Sequence, residues 1–259
     1  MDVRNRPIGF FDSGVGGISV LKEAIRILPK EDFIYYGDSK NAPYGDKSVD
    51  EIRQLSFNVA QFLVEKNIKA LVVACNTATS AAIKDLRKKY SNIPVIGIEP
   101  ALKPAVEIKG MGKILIMATP VTLSEKKFNN LLKKYNGKSD IIPVPCPGLA
   151  ELIEAGILSG NKLQNYLEDK LSSYIQNEIA AIVLGCTHYP FIKDEISKLI
   201  PNVPIIDGSI GTVKQLKRKL ITLNLLNVSG EKGKVQMINS SESKEIMELS
   251  NKLLKLSYN

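Results

Sequence analysis

Short apolar runs recur along the chain, each closed by small or polar residues and followed by a stretch with helical spacing. Residues 8–11, 33–36, 70–74 and 94–98 read as strands, and 113–118, 140–144, 181–185 and 204–206 repeat the rhythm. Residues 18–28, 49–66, 77–90, 120–135, 162–177 and 191–200 read as helices between them. In 49–66 the apolar positions Ile52, Leu55, Val59, Phe62 and Leu63 line one face. Strands alternating with helices predict parallel sheets with helices on both faces. The rhythm runs twice, so the expected fold is α/β, with two similar three-layer domains and mainly parallel sheets. Residues 1–98 with 208–259 form the first expected domain and 99–207 the second. After a helix at 211–220 the pattern fades into a weak tail, expected to pack back on the first domain.

With 259 residues, 44% of them hydrophobic, the chain can bury a large core. The formal net charge is +8, and the excess lysines cluster at 84–89 and 126–134. These runs read as solvated helix faces. No Trp, few aromatics among the lysines and no nucleic-acid signature argue against a nucleic-acid partner. A positive field favours an anionic substrate. Three cysteines are too few, and odd in number, for a disulfide framework. There is no signal-peptide pattern at the N-terminus and no apolar run near ~18 residues. The expectation is a cytoplasmic protein with free thiols and no membrane partner.

Candidate chemistry gathers where strands end, which is where parallel α/β sheets collect ligands. Cys75 closes Ala70-Leu71-Val72-Val73-Ala74 and is followed by Asn76-Thr77; Cys186 closes Ala181-Ile182-Val183-Leu184-Gly185 and is followed by Thr187-His188. Each is expected to precede a helix, whose N-terminal amides would lower the thiol pKa toward neutrality. Cys146, between Pro145 and Pro147, reads as a buried small hydrophobe. His188, the single histidine, lies close enough in sequence to assist Cys186. No second histidine or Cys-x-x-Cys pair accompanies it, so no metal site is expected. Asp12-Ser13-Gly14-Val15-Gly16-Gly17 lacks the lysine of a P-loop and the dinucleotide glycine spacing. Asp12 would suit an ammonium group, and Ser13 with the loop amides a carboxylate, which together favour an amino acid. Tyr44 and Gly45, in a turn with Pro43, could close over a small ligand. Two strand-end thiols suit inversion of a carbon stereocentre: one takes the α-proton and the other returns a proton to the opposite face. Pyridoxal phosphate would need a Schiff-base lysine in a phosphate site, and none is evident, so no cofactor is expected.

The chain closely resembles the glutamate racemases, of the aspartate/glutamate racemase family, nearly end to end. The resemblance rests on Phe11-Asp12-Ser13-Gly14-Val15-Gly16-Gly17, Tyr36-Gly37-Asp38, Pro43-Tyr44-Gly45, Ala74-Cys75-Asn76-Thr77-Ala78, Gly97-Ile98-Glu99-Pro100, Ala118-Thr119-Pro120 and Gly185-Cys186-Thr187-His188-Tyr189-Pro190. It implies pseudo-two-fold domains with the site in the cleft between them, and glutamate as substrate without a cofactor. It further implies Cys75 as the base toward D-glutamate and Cys186 toward L-glutamate, with Asp12, His188 and Glu154 assisting. Asp12, Ser13, Tyr44, Gly45, Asn76, Thr77, Thr119, Thr187 and His188 match its substrate-binding positions. D-glutamate supply to peptidoglycan, and frequent homodimers, are further family properties. Many members have a proline where Glu151 stands here. Aspartate racemases are the nearest alternative, but typically carry Glu in place of His188. A non-catalytic binding module and a thiol redox protein fit the paired thiols less well.

Overall fold

The structure, a computed structural model, describes residues 2–108, 112–124, 126–135, 140–175, 178–227 and 230–256. The chain begins β1 (Ile8–Asp12), α1 (Ile18–Ile27), β2 (Phe33–Gly37), α2 (Val49–Glu65), β3 (Ala70–Val73), α3 (Asn76–Lys89) and β4 (Val95–Gly97). It continues through α4 (Leu102–Val106), β5 (Lys113–Ala118), α5 (Pro120–Ser124), α6 (Lys126–Tyr135), β6 (Asp140–Pro145), α7 (Leu149–Glu154) and α8 (Asn161–Ile175). Then come β7 (Ile179–Leu184), α9 (Lys193–Leu199), β8 (Ile205–Asp207), α10 (Ser209–Thr222), β9 (Val235–Asn239) and α11 (Lys244–Lys255).

The strands form two sheets, in the orders β4-β3-β1-β2-β9 and β6-β5-β7-β8. Every pairing is parallel. Side-chain alternation along each strand divides the core as a period of two requires. Phe10 and Val72 in the first sheet, and Leu115 and Ile182 in the second, share one large apolar cluster. On the opposite faces, Phe11, Leu71 and Val73 pack in a cluster with Ile52 and Leu63 of α2 and Leu86 of α3. Ile114, Ile116 and Val183 pack with Leu102 of α4 and Phe128 of α6. With both faces covered, the strands can be apolar throughout: all of β1 and β3 is buried. Among the described residues no helix is long and apolar enough to cross a membrane.

Most expected elements form where the pattern placed them, and the exceptions have physical causes. The expected helix 120–135 is two elements, α5 and α6, with residue 125 outside the described residues. The last two residues of the expected helix 162–177 also lie outside them. Residues 191–200 are not one helix: a 3-10 turn at Tyr189–Ile192 precedes α9. Pro190 fixes φ and lacks an N–H, which suits a tight first turn. The supposed weak tail carries β9 and α11. β9 pairs in register with β2 at the edge of the first sheet. Its half-buried residues give no clean alternation, which is why the pattern hid it. α11 is capped by Ser243, whose hydroxyl accepts from Ile246 N at 3.3 Å.

A buried ion pair fixes the end of the first sheet remote from the strand-end residues. Lys69, just before β3, pairs with Glu31, just before β2, and neither side chain is more than 2% exposed. Glu31 also accepts from Asn227 N at 2.8 Å. Lys69→Ala would leave the carboxylate buried and unpaired, at a cost of about 3–5 kcal/mol, whereas Lys69→Met with Glu31→Leu should recover most of it. Denaturant midpoints of the two variants check this; equal destabilisation would contradict it.

Candidate active site

Three elements of the first sheet bring groups to one place. β1 ends at Asp12, and Ser13 follows. β3 ends one residue before Ala74-Cys75, and Cys75 is the N-cap of α3. Its sulfur accepts from Ala78 N at 3.4 Å and lies 3.5 Å from Ser13 Oγ. Asn76 and Thr77 form the first turn of α3, and Asn76 Oδ1 is buried with no hydrogen-bond partner. After β2, the turn bearing Tyr44 and Gly45 is anchored by Asp38. Its carboxylate accepts from Tyr44 OH at 2.7 Å and from Asn41 Nδ2 at 3.0 Å.

The second sheet supplies the facing set. After β7 the chain passes Gly185 and presents Cys186, Thr187 and His188. His188 Nδ1 lies 3.6 Å from Cys186 Sγ, and Nε2 lies 2.7 Å from Glu154 Oε1 at the end of α7. That carboxylate also accepts from Val15 N at 2.7 Å. Thr187 Oγ1 donates to Asp12 Oδ2 at 3.0 Å, and Ser19 Oγ donates to Thr187 O at 2.9 Å. The glycine-loop segment and the Cys186–His188 segment are therefore tied together at the floor of the site. A Cβ on Gly14 would stand 1.8 Å from Glu154 Oε1, and one on Gly16 would stand 2.4 Å from His188 Nδ1. Both glycines are required by close approach.

These groups surround a cavity of about 260 Å³, a little below the roughly 300–1,000 Å³ of drug-sized sites. Cys75, Cys186, His188, Glu154, Ser13, Tyr44, Gly45, Asn76, Thr77, Thr119 and Thr187 all line it. Asp12 does not: it is fully buried beneath, with its oxygens held by Gly14 N and Thr187. The loop amides of Gly14 and Val15 are likewise engaged by Asp12 and Glu154. Asp12 and these two amides are therefore not free to meet a ligand, whereas Ser13 stands at the cavity wall. Sequence reasoning missed Cys146, Glu151 and Ile246, which also line the cavity. Cys146 ends the strand-end series after β6, a position that could have marked it. Ile246 comes from α11 in the unread tail, and nothing local signalled it.

Charge within the site departs from the expected pattern at Cys75. Burial, reinforced by the nearby Asp12 carboxylate, pushes its thiol up to about 12. The Ala78 amide and Ser13 hydroxyl act in the stabilising direction expected at a helix N-terminus, but desolvation outweighs them. Burial likewise raises Cys146 to about 12. For His188, burial opposes the imidazolium, but the contacts to Cys186 and Glu154 outweigh it and hold its pKa well above the usual histidine value. Burial raises the Asp12 carboxyl, against the nearby His188 and its Gly14 hydrogen bond. Cys186 itself is followed by a 3-10 turn, so its partner is a side chain, His188, and not a helix terminus.

Two thiols, delivered by separate parallel sheets, line the one cavity. The chain belongs to the Asp/Glu/Hydantoin racemase family, whose profile matches residues 13–216. A curated relative, the glutamate racemase of Clostridium acetobutylicum, is 65% identical over 256 residues, covering 99% of this chain and 100% of its own. Glutamate racemase from Francisella tularensis, crystallised with D-glutamate, superposes with a TM-score of 0.85 at 32% identity, covering 99% of this chain and 96% of that one. The Escherichia coli glutamate racemase, crystallised with L-glutamate and the activator UDP-MurNAc-ala, gives a TM-score of 0.84 at 26% identity, covering 96% of this chain and 95% of that one.

Proposed function

We propose that the protein interconverts L-glutamate and D-glutamate, with Cys75 and Cys186 exchanging the roles of base and acid at the α-carbon. The observation that supports this most directly is that both thiols line one cavity although they follow strands of different sheets. In the L-to-D direction the reacting form carries a Cys186 thiolate beside His188 and a Cys75 thiol. The Cys186 thiolate takes the α-proton of L-glutamate. The planar carbanion then receives the Cys75 proton on its other face, leaving a Cys75 thiolate and a Cys186 thiol. D-glutamate runs the same steps backwards. Glu154 holds His188 in its charged form. Asn76 Oδ1, an unpaired acceptor, suits the substrate ammonium, and the Ser13 and Thr77 hydroxyls suit its carboxylates, whereas Thr119 and Thr187 donate to Thr122 and Asp12. Asp12 acts as a positioning residue through Thr187. In this reading residues 1–98 with 208–259 form one domain and 99–207 the other, each carrying one of the two reacting thiols, Cys75 and Cys186. The product would serve peptidoglycan synthesis in the cytoplasm.

The test is incubation of each enantiomer in D₂O without added cofactor, followed by circular dichroism and proton NMR. Both should converge on the racemate with deuterium at the α-carbon. Failure to racemise, a faster reaction with aspartate, or a requirement for added pyridoxal phosphate would overturn the proposal. The Cys75 thiol should also resist alkylation: at about pH 8, iodoacetamide should label it only slowly, because burial keeps it protonated. Cys75 labelling should then rise about tenfold per pH unit, because its thiolate fraction grows that way below a pKa of about 12. Peptide mapping by mass spectrometry reads the Cys75 adduct, and rapid labelling at about pH 8 with no rise at higher pH would contradict the raised pKa.

A further inference from the structure

The family profile ends at residue 216, yet the segment beyond it grips a turn at the cavity. β9 runs beside β2 and ends at Asn239, level with Gly37 at the end of β2. After Gly37 the chain makes a 3-10 turn at Ser39–Asn41 and then reaches Tyr44 and Gly45. Asn239 Nδ2 donates to Ser39 Oγ at 2.9 Å, and Ser240 Oγ accepts from Lys40 N at 3.0 Å. The Asn239 amide can face only one way. Its Oδ1 accepts from Ser241 N at 2.9 Å and from Ser241 Oγ at 2.7 Å, and a backbone N–H can only donate. A glycine keeps room for it: a Cβ on Gly37 would stand 3.0 Å from Asn239 Nδ2 and 2.5 Å from Gly14 O. Ser39, Tyr44 and Gly45 line the cavity.

We infer that Asn239 and Ser240 are positioning residues that act through Ser39 and Lys40 to hold residues 39–45 in place over the cavity. The inference rests on the glutamate reading above. Asp38 grips the later part of the same turn, at Asn41 and Tyr44. Asn239 and Ser240 hold its first two residues, from 200 positions further along the chain. The turn is thus fixed twice, once from β2 and once from β9. Without the second fixture the turn spends part of its time displaced, and only the remaining fraction of the protein binds glutamate at full strength. Apparent affinity falls by that fraction. Once glutamate is bound the turn is in place, so the proton transfers at the two thiols are untouched.

The test removes each bond separately. N239S is too short to reach Ser39 but keeps an oxygen for the Ser241 amide, and S39A removes the same bond from the side of the turn. S240A removes the second bond, and S240T keeps its hydroxyl. In N239S, S39A and S240A the KM for either glutamate enantiomer should rise about fivefold, the scale of one net hydrogen bond. The kcat should stay within about twofold and the thermal midpoint near that of the parent, and S240T should restore KM. Because Asn239 acts through Ser39, the N239S/S39A double variant should be no worse than either single variant. The inference is overturned if KM is unchanged in folded N239S or S240A, or if the N239S and S39A effects multiply. It is equally overturned if S240T is as impaired as S240A, or if kcat falls while KM does not. Should N239S fold poorly, S39A and S240A give the same readout with Asn239 intact. An unsubstituted protein that leaves glutamate unracemised would sink the underlying reading instead, which keeps the two failures apart.

Discussion

Replacing Cys75 or Cys186 by alanine is expected to lower racemisation by about 10²–10⁴-fold, the range for loss of a positioned acid or base. Both residues are buried at the cavity wall and unlinked to other cysteines. Alanine removes only the sulfur, so far-ultraviolet circular dichroism should be unchanged. Enantiomers have equal free energy in water, so kcat/KM must fall equally in both directions, and rates alone cannot assign a thiol to an enantiomer. Isotope exchange can. The Cys75→Ala variant keeps the Cys186–His188 pair and should still exchange the α-proton of L-glutamate with D₂O without inverting it. The Cys186→Ala variant should do so with D-glutamate. Exchange of the opposite enantiomers would reverse the assignment, and undiminished racemisation in either variant would remove the two-base mechanism altogether.

Gly16→Ala should be the most damaging change at a residue with no chemistry of its own. The added methyl would stand 2.4 Å from His188 Nδ1, 2.6 Å from Cε1 and 2.7 Å from Thr187 Oγ1. The ring cannot simply step aside, because its other nitrogen is held by Glu154 at 2.7 Å. Thr187 is held by Asp12 at 3.0 Å and through its carbonyl by Ser19 at 2.9 Å. Reaching ordinary contact at 3.4 Å means something must give by about 1 Å, and the Cys186–His188 contact, at 3.6 Å, is the weakest member. A displacement of this order costs about 10²-fold in kcat, together with about 1–3 kcal/mol of overpacking. Gly211→Ala is the control: its Cβ would meet nothing within 4 Å on an exposed part of α10. It should leave kcat unchanged and stabilise the fold by about 0.4–1 kcal/mol. Full activity in Gly16→Ala would mean that the two segments are not clamped in the active form.

The candidate site was legible to an unusual depth because most of its residues sit at strand ends. A buried strand is a continuous apolar run, and the first polar residue after it marks the rim where ligands gather. Cys75, Thr119 and Cys186 were singled out that way, and all three line the cavity. The errors follow from what a local pattern leaves out. It put Asp12 in the ligand's reach, whereas folding buries it under Thr187. It gave Cys75 a lowered pKa from its helix N-terminus, whereas burial of the whole site raises it. It passed over Ile246, because which wall a residue joins depends on elements far along the chain.

Local order alone was enough to set the alternation of strands and helices, the parallel sheets that follow from it, and the polar groups closing each strand. Those properties depend on side-chain period and chain direction, which neighbours in sequence dictate. Only the tertiary structure brought Glu154 onto His188 and Val15 N, seated Thr187 on Asp12, drew α11 to the cavity and closed the ring of Thr77, Thr119 and Thr122. Except for the Thr119–Thr122 bond, each of these joins residues tens of positions apart or more, so its energy exists only after the sheets have packed, and no short window of sequence contains both partners.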